Sequence, residues 1–527
     1  MTGHQELLLS LRKTFWSGHT LSLAWRREQL RALHRMVEEN RQEWCAALRE
    51  DLGKSVCESL ICEIEVGLQD VALALRCLPE WAGRRRVVAA AGRWWLPPPR
   101  WMARLAHALA PWWGGSGASE APAGIGGTSI ASLIEDRYVQ AQPLGVVLIM
   151  TAWNYPLALA MWHLTSALAA GNCVVLKPSE QAPATAQLLQ RLMDKYLDRQ
   201  AVRVVLGDAA VAKALLHVAG EPAPSSADVL SACRWDLVHF TGGWRIARQV
   251  SRACAETLTP CVLELGGKNP VVVDAGSLSP QALGRVARII MWSKLINAGQ
   301  TCLAADYALL VGADAAATAR FSEQLAAAAV AMYGERPLDN ADYPRIVSTS
   351  HVRRVAQLLK ETGGTVVHGG ECLEAQRYVQ PTIVSNVSAD DALMQEEIFG
   401  PVLPLLSGCA DVEAAMQLLQ QRAHPLVLYA FSSAPHFVQR LETHIASGAL
   451  VVNDIMSQAT SPGLPFGGVG LSGHGNSRGQ AGFDAFSHLR SVLKKSLWSE
   501  RLASDRYAPF TESGAQHVTS LVHVPPP

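Results

Sequence analysis

The sequence predicts an α/β protein in which a doubly wound parallel sheet is followed by a second α/β domain. Two observations carry this. From Leu144 to Leu265, short apolar runs (LGVVLIM, CVVLK, VRVVLG, DLVHF, CVLEL) alternate with segments whose apolar residues recur at helical spacing. Runs that are apolar on both faces belong in a buried parallel sheet. After Gly267 the alternation restarts with PVVVDAG and YALLVG, and a chain of 527 residues has room for more than one domain. A sheet of this kind takes its ligand past the carboxyl ends of its strands.

Taken in order, residues 5 to 80 read as helices, with Trp25 to Leu48 and Ser59 to Leu78 each carrying one apolar stripe. Residues 83 to 129 break the pattern with Arg84-Arg85-Arg86, paired tryptophans, three prolines and a glycine-rich run. They read as a surface insertion, with WMARLAHALAPWW inside it the one candidate for an interfacial helix. The stretch 144 to 176 resolves into strand LGVVLIM, loop TAWNYP, helix LALAMWHLTSALAAG and strand CVVLK, since Asn154, Pro156 and Gly171 interrupt any continuous span. Helices follow at 184–197 and 245–258, and a polar insert at 222–233. In the second domain a helix runs from Pro280 to Asn297, and others cover 315–332, 350–361 and the stretch up to Gln420. Strands lie at TVVHGG, YVQPTIV, EEIFGPVLPLL, LVLYAFS and GALVVN. PFGGVGLSGHG at 465–475 is a loop, and Phe483 to Leu493 is extended.

Composition narrows the function. Hydrophobic residues make up 49% and charged residues 17% of the chain, a globular balance. Forty-six basic residues offset 46 acidic ones, so no global field recruits nucleic acid or an anionic membrane. The 11 cysteines include no C-x-x-C pair and no H-E-x-x-H occurs, which argues against a zinc site and a secreted disulfide framework. No metal is expected. No cleavage-like site follows the apolar patch Leu7–Leu11, so the compartment expected is reducing, most simply the cytoplasm.

The residues suited to chemistry cluster at junctions. Ala298-Gly299 ends the helix from Pro280, and Cys302 follows among small residues that let a second molecule approach. A thiol so placed is a nucleophile if its thiolate is stabilised and a base is near. Gly468 to Gly473 spells G-x-G-x-x-G, but no helix follows, so it is a glycine loop and not a dinucleotide fingerprint. Phe240-Thr241-Gly242-Gly243 ends a buried strand and opens a helix, which suits a pyrophosphate. Lys177 and Glu180 end another strand, where they serve ribose hydroxyls or simply pair with each other.

Together TAWNYP, AAGNCVVLKPSE, FTGG, LELGGKNP, NAGQTC, QEEIFGPVLP and PFGGVGLSGHG followed by FDAFSH resemble the aldehyde dehydrogenase superfamily, in its class-3 branch. The resemblance runs from about residue 5 to about residue 510, in the family's order. It implies NAD(P)-dependent oxidation of aldehydes to acids through a cysteine thioester, medium or long aliphatic or aromatic substrates, and a homodimer. It also implies a cofactor domain, a catalytic domain and a bridging β arm. By the same resemblance Cys302 matches the nucleophile, Glu264 the general base and Asn154 the oxyanion amide. Lys177 and Glu180 match groups at the adenine ribose, and Glu397 and Phe399 groups at the nicotinamide ribose. The pyrophosphate turn departs from the pattern: Gly243 stands where the family has serine, and Ala247 where it has glycine.

The boundaries implied are 1–129 for the N-terminal helices with the insertion, as part of the cofactor domain, 130–143 for the first part of the arm and 144–265 for the NAD(P)-binding domain. The catalytic domain covers 266–453, a bridging segment 454–500 and a loosely ordered tail 501–527. Two rival readings are a family member with weak redox turnover that keeps thiol esterase activity, and a membrane-associated scaffold held by the Trp-rich insert. Stable membrane anchoring generally takes two signals, and this chain offers one. The intact protein is therefore expected to stay in the supernatant with anionic vesicles, and deletion of 83–129 to leave its fractionation unchanged. Sedimentation with vesicles that depends on the insert is the contrary outcome.

Overall fold

The computed structural model describes residues 3–87, 135–220, 226, 231–406, 408–497 and 507–516. The candidate helix WMARLAHALAPWW, most of the insert 222–233 and most of the tail lie outside these residues. The chain divides into two compact units, Met1–Trp81 with Gln142–His488, and Ala82–Ala141 with Leu489–Pro527.

In the larger unit the N-terminal region is helical, but the single stripe expected from Trp25 to Leu48 is two helices, Leu23–Glu38 and Arg41–Leu52. The break falls at Asn40, whose amide turns back to donate to the Met36 carbonyl at 2.8 Å. A one-turn helix, Val56–Ser59, then passes through a π-helical stretch, Leu60–Glu65, into the helix Val66–Trp81. The widened turn carries Glu63, which is fully buried. Its carboxylate takes the Lys54 ammonium at 2.5 Å on one oxygen. On the other it takes the N–H groups of Leu157 and Ala158, at 3.1 and 2.8 Å. Those are first-turn donors of the helix Pro156–Ala170, so a distant glutamate caps it. Every residue of that helix is buried, as its lack of a polar face requires.

Two sheets follow. The first has six strands in the order Gly473–His474, Cys261–Leu265, Leu237–Gly242, Val146–Met150, Cys173–Lys177 and Val202–Val204. Its neighbouring strands pair in parallel except at the first edge, where Gly473 lies antiparallel and opposite Glu264. The second has seven strands, ordered Thr365–His368, Thr382–Ser385, Val402–Leu406, Tyr307–Val311, Pro270–Asp274, Val427–Phe431 and Ala449–Val452. Its one antiparallel pair is at the Thr365–His368 edge.

The stretch 454–500, expected as one bridging segment, divides. Residues up to His488 belong to the larger unit, because Gly473–His474 completes the six-stranded sheet and Arg478 enters its core. The Arg478 guanidinium pairs with Asp70 at 2.7 and 3.1 Å, both side chains buried. Phe483 is not extended as expected but sits in the helix Gly479–Ala485, fully buried; only Ser487–Lys495 is a strand. In the smaller unit that strand forms a three-stranded sheet with Glu135–Pro143 and Arg84–Arg86. The arginine run assigned to the insertion is thus a strand, with the Arg84 guanidinium 4.7 Å from the centre of the Tyr138 ring. Among the described residues no helix is long and apolar enough to cross a membrane.

Removing one partner of a buried ion pair costs about 3–5 kcal/mol. Lys54→Met is therefore expected to lower the thermal midpoint sharply, while Arg35→Met, which breaks the exposed pair with Glu28, leaves it nearly unchanged. Calorimetry on the two variants checks this.

Candidate active site

The loop that carries Cys302 is shaped by backbone conformation. The helix from Pro280 ends at Leu295, two residues earlier than its apolar spacing suggests. Asn297, Ala298 and Gly299 then take left-handed conformations with φ of 50°, 50° and 73°. Glycine is obligatory at the third, since a Cβ there would lie 2.3 Å from the Gly400 carbonyl oxygen. At Asn297 and Ala298 the strain, of order 1–3 kcal/mol each, is held by a dense set of bonds. The Asn297 N–H donates to Glu58 at 2.7 Å, and its side chain donates to the carbonyls of Asn154 and Gln300 at 2.8 and 3.0 Å. The buried Gln300 side chain donates to the carbonyls of Asn297 and Arg345 and accepts from the Val347 N–H. Beyond the cysteine, Asn269 donates to the carbonyls of Cys302 and Ala304 at 2.6 and 3.1 Å, and the Tyr429 hydroxyl to that of Leu303 at 2.7 Å.

Cys302 opens onto a cavity of about 620 Å³ at the carboxyl ends of the first sheet's strands. Its walls include Asn154, Gly242, Gly243, Glu264, Glu397 and Phe399, so the structure brings these sequence candidates together. Lys177, Glu180 and Ala247 are not among the lining residues. Lys177 is buried and pairs with the exposed Glu180 at 2.8 Å. Ala247, which stands where the family pattern has glycine, is buried. With Val250, Ala253 and Cys254 it forms the buried stripe of the helix Trp244–Glu256, facing away from the cavity that Gly243 and Trp244 line.

Burial governs the charges. It pushes the Cys302 thiol well above its usual value, with Glu397 and Glu264 adding to the shift and the N–H groups of residues 302 and 303 opposing it. The cysteine is half-buried, and its open side faces this cavity. Glu264 is likewise raised well above the ordinary carboxyl range by desolvation. One of its oxygens accepts from the Ser477 hydroxyl at 3.0 Å; the other has no partner. Glu397 is raised to about 8, by burial first and by Asp306 second, against the Gly267 N–H, Lys268 and Lys294. Its carboxylate packs on Gly266, where a Cβ would stand 2.1 Å from Oε2. Phe399 adopts φ 48° and meets the Trp153 ring edge-on at 5.4 Å.

Several residues that fix this geometry have no signal in spacing or composition. Lys54 and Glu58 reach the site from the N-terminal helices. Ser477 follows the glycine loop that was set aside as a cofactor motif. Lys268 and Asp306 pair and together hold the segment of Glu397, through the carbonyls of Leu393 and Glu396 and the N–H of Ile398. Lys268 and Asn269 lie within LELGGKNP, the stretch quoted for Glu264.

Comparison with known proteins agrees with the arrangement. The model of the "Aldehyde dehydrogenase family" matches residues 118–492. Aldehyde dehydrogenase family 3 member A2 of Mus musculus is 36% identical, over 97% of this chain and 92% of its own length. The "Aldehyde dehydrogenase, dimeric NADP-preferring" of Rattus norvegicus is 34% identical, over 98% of this chain and 100% of its own. Among solved structures, the substrate-bound Staphylococcus aureus AldH has a TM-score of 0.82 at 28% identity, covering 99% of this chain and 100% of that one. The P. syringae AldA indole-3-acetaldehyde dehydrogenase, in complex with NAD+ and IAA, has a TM-score of 0.74 at 25% identity, covering 94% and 89%.

The two departures in the turn after Thr241 separate cleanly. No heavy atom lies within 4 Å of a Cβ built at Gly243, and its φ is −79°, so Gly243→Ser fits without strain. Ala247→Gly removes a buried methyl and helix propensity together, which costs about 1 kcal/mol or more. The expected result is a lower thermal midpoint for Ala247→Gly with NAD affinity unchanged, and an unchanged midpoint for Gly243→Ser with affinity equal or higher. Calorimetry and fluorescence titration read the two effects.

Proposed function

Because the chain belongs to the aldehyde dehydrogenase family and carries out NAD(P)-dependent oxidation of aldehydes, we propose that Cys302 is its nucleophile, Glu264 its general base and Asn154 its oxyanion donor. The observation that supports this most is their convergence on one cavity that also exposes the start of the helix Trp244–Glu256. The residues fit a dinucleotide: Gly243 leaves the helix N-terminus open, and Arg245 stands exposed beside it. Gly242 and Gly243 would hold the pyrophosphate, Lys177 and Glu180 the adenine ribose, and Glu397 and Phe399 the nicotinamide ribose. When bound, the nicotinamide supplies the two-electron acceptor for the oxidation.

The chain's own residues do the rest. Cys302 loses its proton and its sulfur adds to the aldehyde carbon, giving a thiohemiacetal. One Asn154 N–H is held by the Gln300 carbonyl at 3.1 Å, which orients the amide and leaves its second N–H for the new oxyanion. The Cys302 backbone N–H is the other donor. Each such donor is worth ~10²–10³ in rate. Oxidation leaves an acyl thioester on Cys302. Glu264 then takes a proton from water through the oxygen that has no protein partner, and the hydroxide releases the acid.

Trp153, Leu159, Phe466 and Leu471 line the same cavity and support medium or long aliphatic or aromatic aldehydes as substrates. The three-stranded arm offers an exposed strand for pairing and supports a homodimer, and the rat relative is named as dimeric. Residues 144–265 serve as the cofactor domain and 266–453 as the catalytic domain. The balanced charge supports a cytoplasmic setting.

NADH or NADPH formation with a panel of aldehydes of increasing chain length tests the substrate class; a preference for the shortest aldehydes refutes it. Cys302→Ala is expected to abolish dehydrogenase and esterase activity, and Glu264→Gln to acylate normally but release acid slowly. Because Glu264 is raised and must be ionised to act, thioester release should increase with pH above the ordinary carboxyl range. Ser477→Ala, which removes the hydrogen bond that lowers it, should move that rise to higher pH. A pH–rate profile unchanged in Ser477→Ala counts against Glu264 as the base.

A further inference from the structure

Away from Cys302 a second thiol centre lies on the first sheet. Cys261 begins the strand that carries Glu264, and Cys254 lies in the last turn of the helix Trp244–Glu256. The four-residue connection between helix and strand folds tightly, with the N–H groups of Thr257 and Thr259 both on the Cys254 carbonyl, at 3.3 and 2.9 Å. The two side chains are thereby brought into direct interaction. His474, on the antiparallel edge strand, places Nε2 at 3.6 Å from the Cys261 sulfur. Cys261 is half-buried and reachable, whereas Cys254 is buried behind it.

We propose that Cys254 and Cys261 form an oxidation-sensitive dithiol that takes a hydroperoxide, with Cys261 as the attacking sulfur, and that it reacts before Cys302. Its chemistry balances without any further reagent. The Cys261 thiolate attacks one peroxide oxygen and the O–O bond breaks. The leaving oxygen, hydroxide from hydrogen peroxide or alkoxide from an organic hydroperoxide, is protonated to water or an alcohol, so sulfur is oxidised by two electrons to a sulfenic acid as the peroxide is reduced. The Cys254 sulfur then attacks the Cys261 sulfur, the S–O bond breaks, and water departs with the Cys254 proton as the disulfide forms.

The surroundings fit the order of events. The Cys254 thiol donates to Cys261 and, with His474 and Ser251, favours the thiolate at Cys261 against its partial burial, while Cys254 is raised and stays protonated. Cys302 has the opposite setting, where burial and two carboxyl groups disfavour its thiolate. The proposal does not depend on the roles assigned to Glu264 or Asn154.

Trypsin would release both sulfurs in one peptide, Ala253–Lys268, and Cys302 in another, Leu295–Arg320. The full-length protein is treated with limiting hydrogen peroxide, unfolded, alkylated with iodoacetamide and digested. The expected result is a 253–268 peptide two hydrogens lighter and unalkylated, while the 295–320 peptide is still alkylated at Cys302. Reduction before alkylation should restore two labels on the first peptide. In Cys254→Ser, dimedone should label Cys261, and in His474→Phe the disulfide should form on the order of tenfold more slowly. Oxidation of Cys302 ahead of the pair overturns the proposal, as does a singly oxidised Cys261 with Cys254 still alkylated. An unchanged rate in His474→Phe overturns the part given to that histidine.

Discussion

The buried contact between Lys54 and Glu63 is the interaction on which the site most depends. The ammonium holds Glu63 and also donates to the Asn154 carbonyl at 2.9 Å, while the carboxylate caps the helix that begins two residues after Asn154. The ring of Tyr155 lies 4.0 Å from the same ammonium, and its hydroxyl bonds to Thr301 at 2.7 Å. Asn297 grips that same Asn154 carbonyl from the other side. One backbone oxygen therefore joins the N-terminal helices, the AWNYP turn and the cysteine loop. Burying a charge is costly unless each of its bonds is made. Here they are made only when all three segments stand in register, so the ion pair serves as an alignment device as much as a source of stability.

The same exclusion of water that strengthens the scaffold works against the reactive groups. Burial raises both Cys302 and Glu264, which disfavours the charged form that each would need to react. Reactivity must come from changes that bring charge or dipoles into the cavity, such as an occupied cofactor turn or an admitted water. A thiol that is quiet until its partners arrive is protected from stray chemistry. The exposed face of Cys261, near His474, has no such protection.

Much of this was legible in the sequence. Apolar runs of four or five residues alternating with amphipathic helices mark both sheets, because burial on two faces leaves a chain no other composition. Cys302, Glu264, Asn154, Glu397 and Phe399 stand in stretches whose family resemblance points to the same small region, and the structure gathers them on one cavity. What could not be read depends on contacts between distant residues. Lys54 and Glu63 look like ordinary surface charges in a helical stretch, since nothing local says that Asn154 will come to meet them. That Ala247 would join the buried stripe of its helix was not legible either, because a position in a turn does not tell which way a side chain faces one helical turn later. The chain from Phe483 read as strand because a helix of seven residues, about two turns, gives too little periodicity to outweigh a β-like continuation.

The contacts of Arg478 and Ser477 bear on how the protein is made. Ser477 meets Glu264 across 213 positions of sequence, and Arg478 meets Asp70 across 408. Helices and the central strands of the first sheet can form as the chain emerges, but Glu264 lacks the Ser477 hydroxyl and Asp70 the Arg478 guanidinium until the segment after the glycine loop has been synthesised. A nascent chain that stops short of this loop holds a buried acid without its partner, a state that favours opening over closure. Closure of the loop onto the sheet is thus a long-range event of the kind that slows folding, and the cavity around Glu264 is complete only once Ser477 has been made.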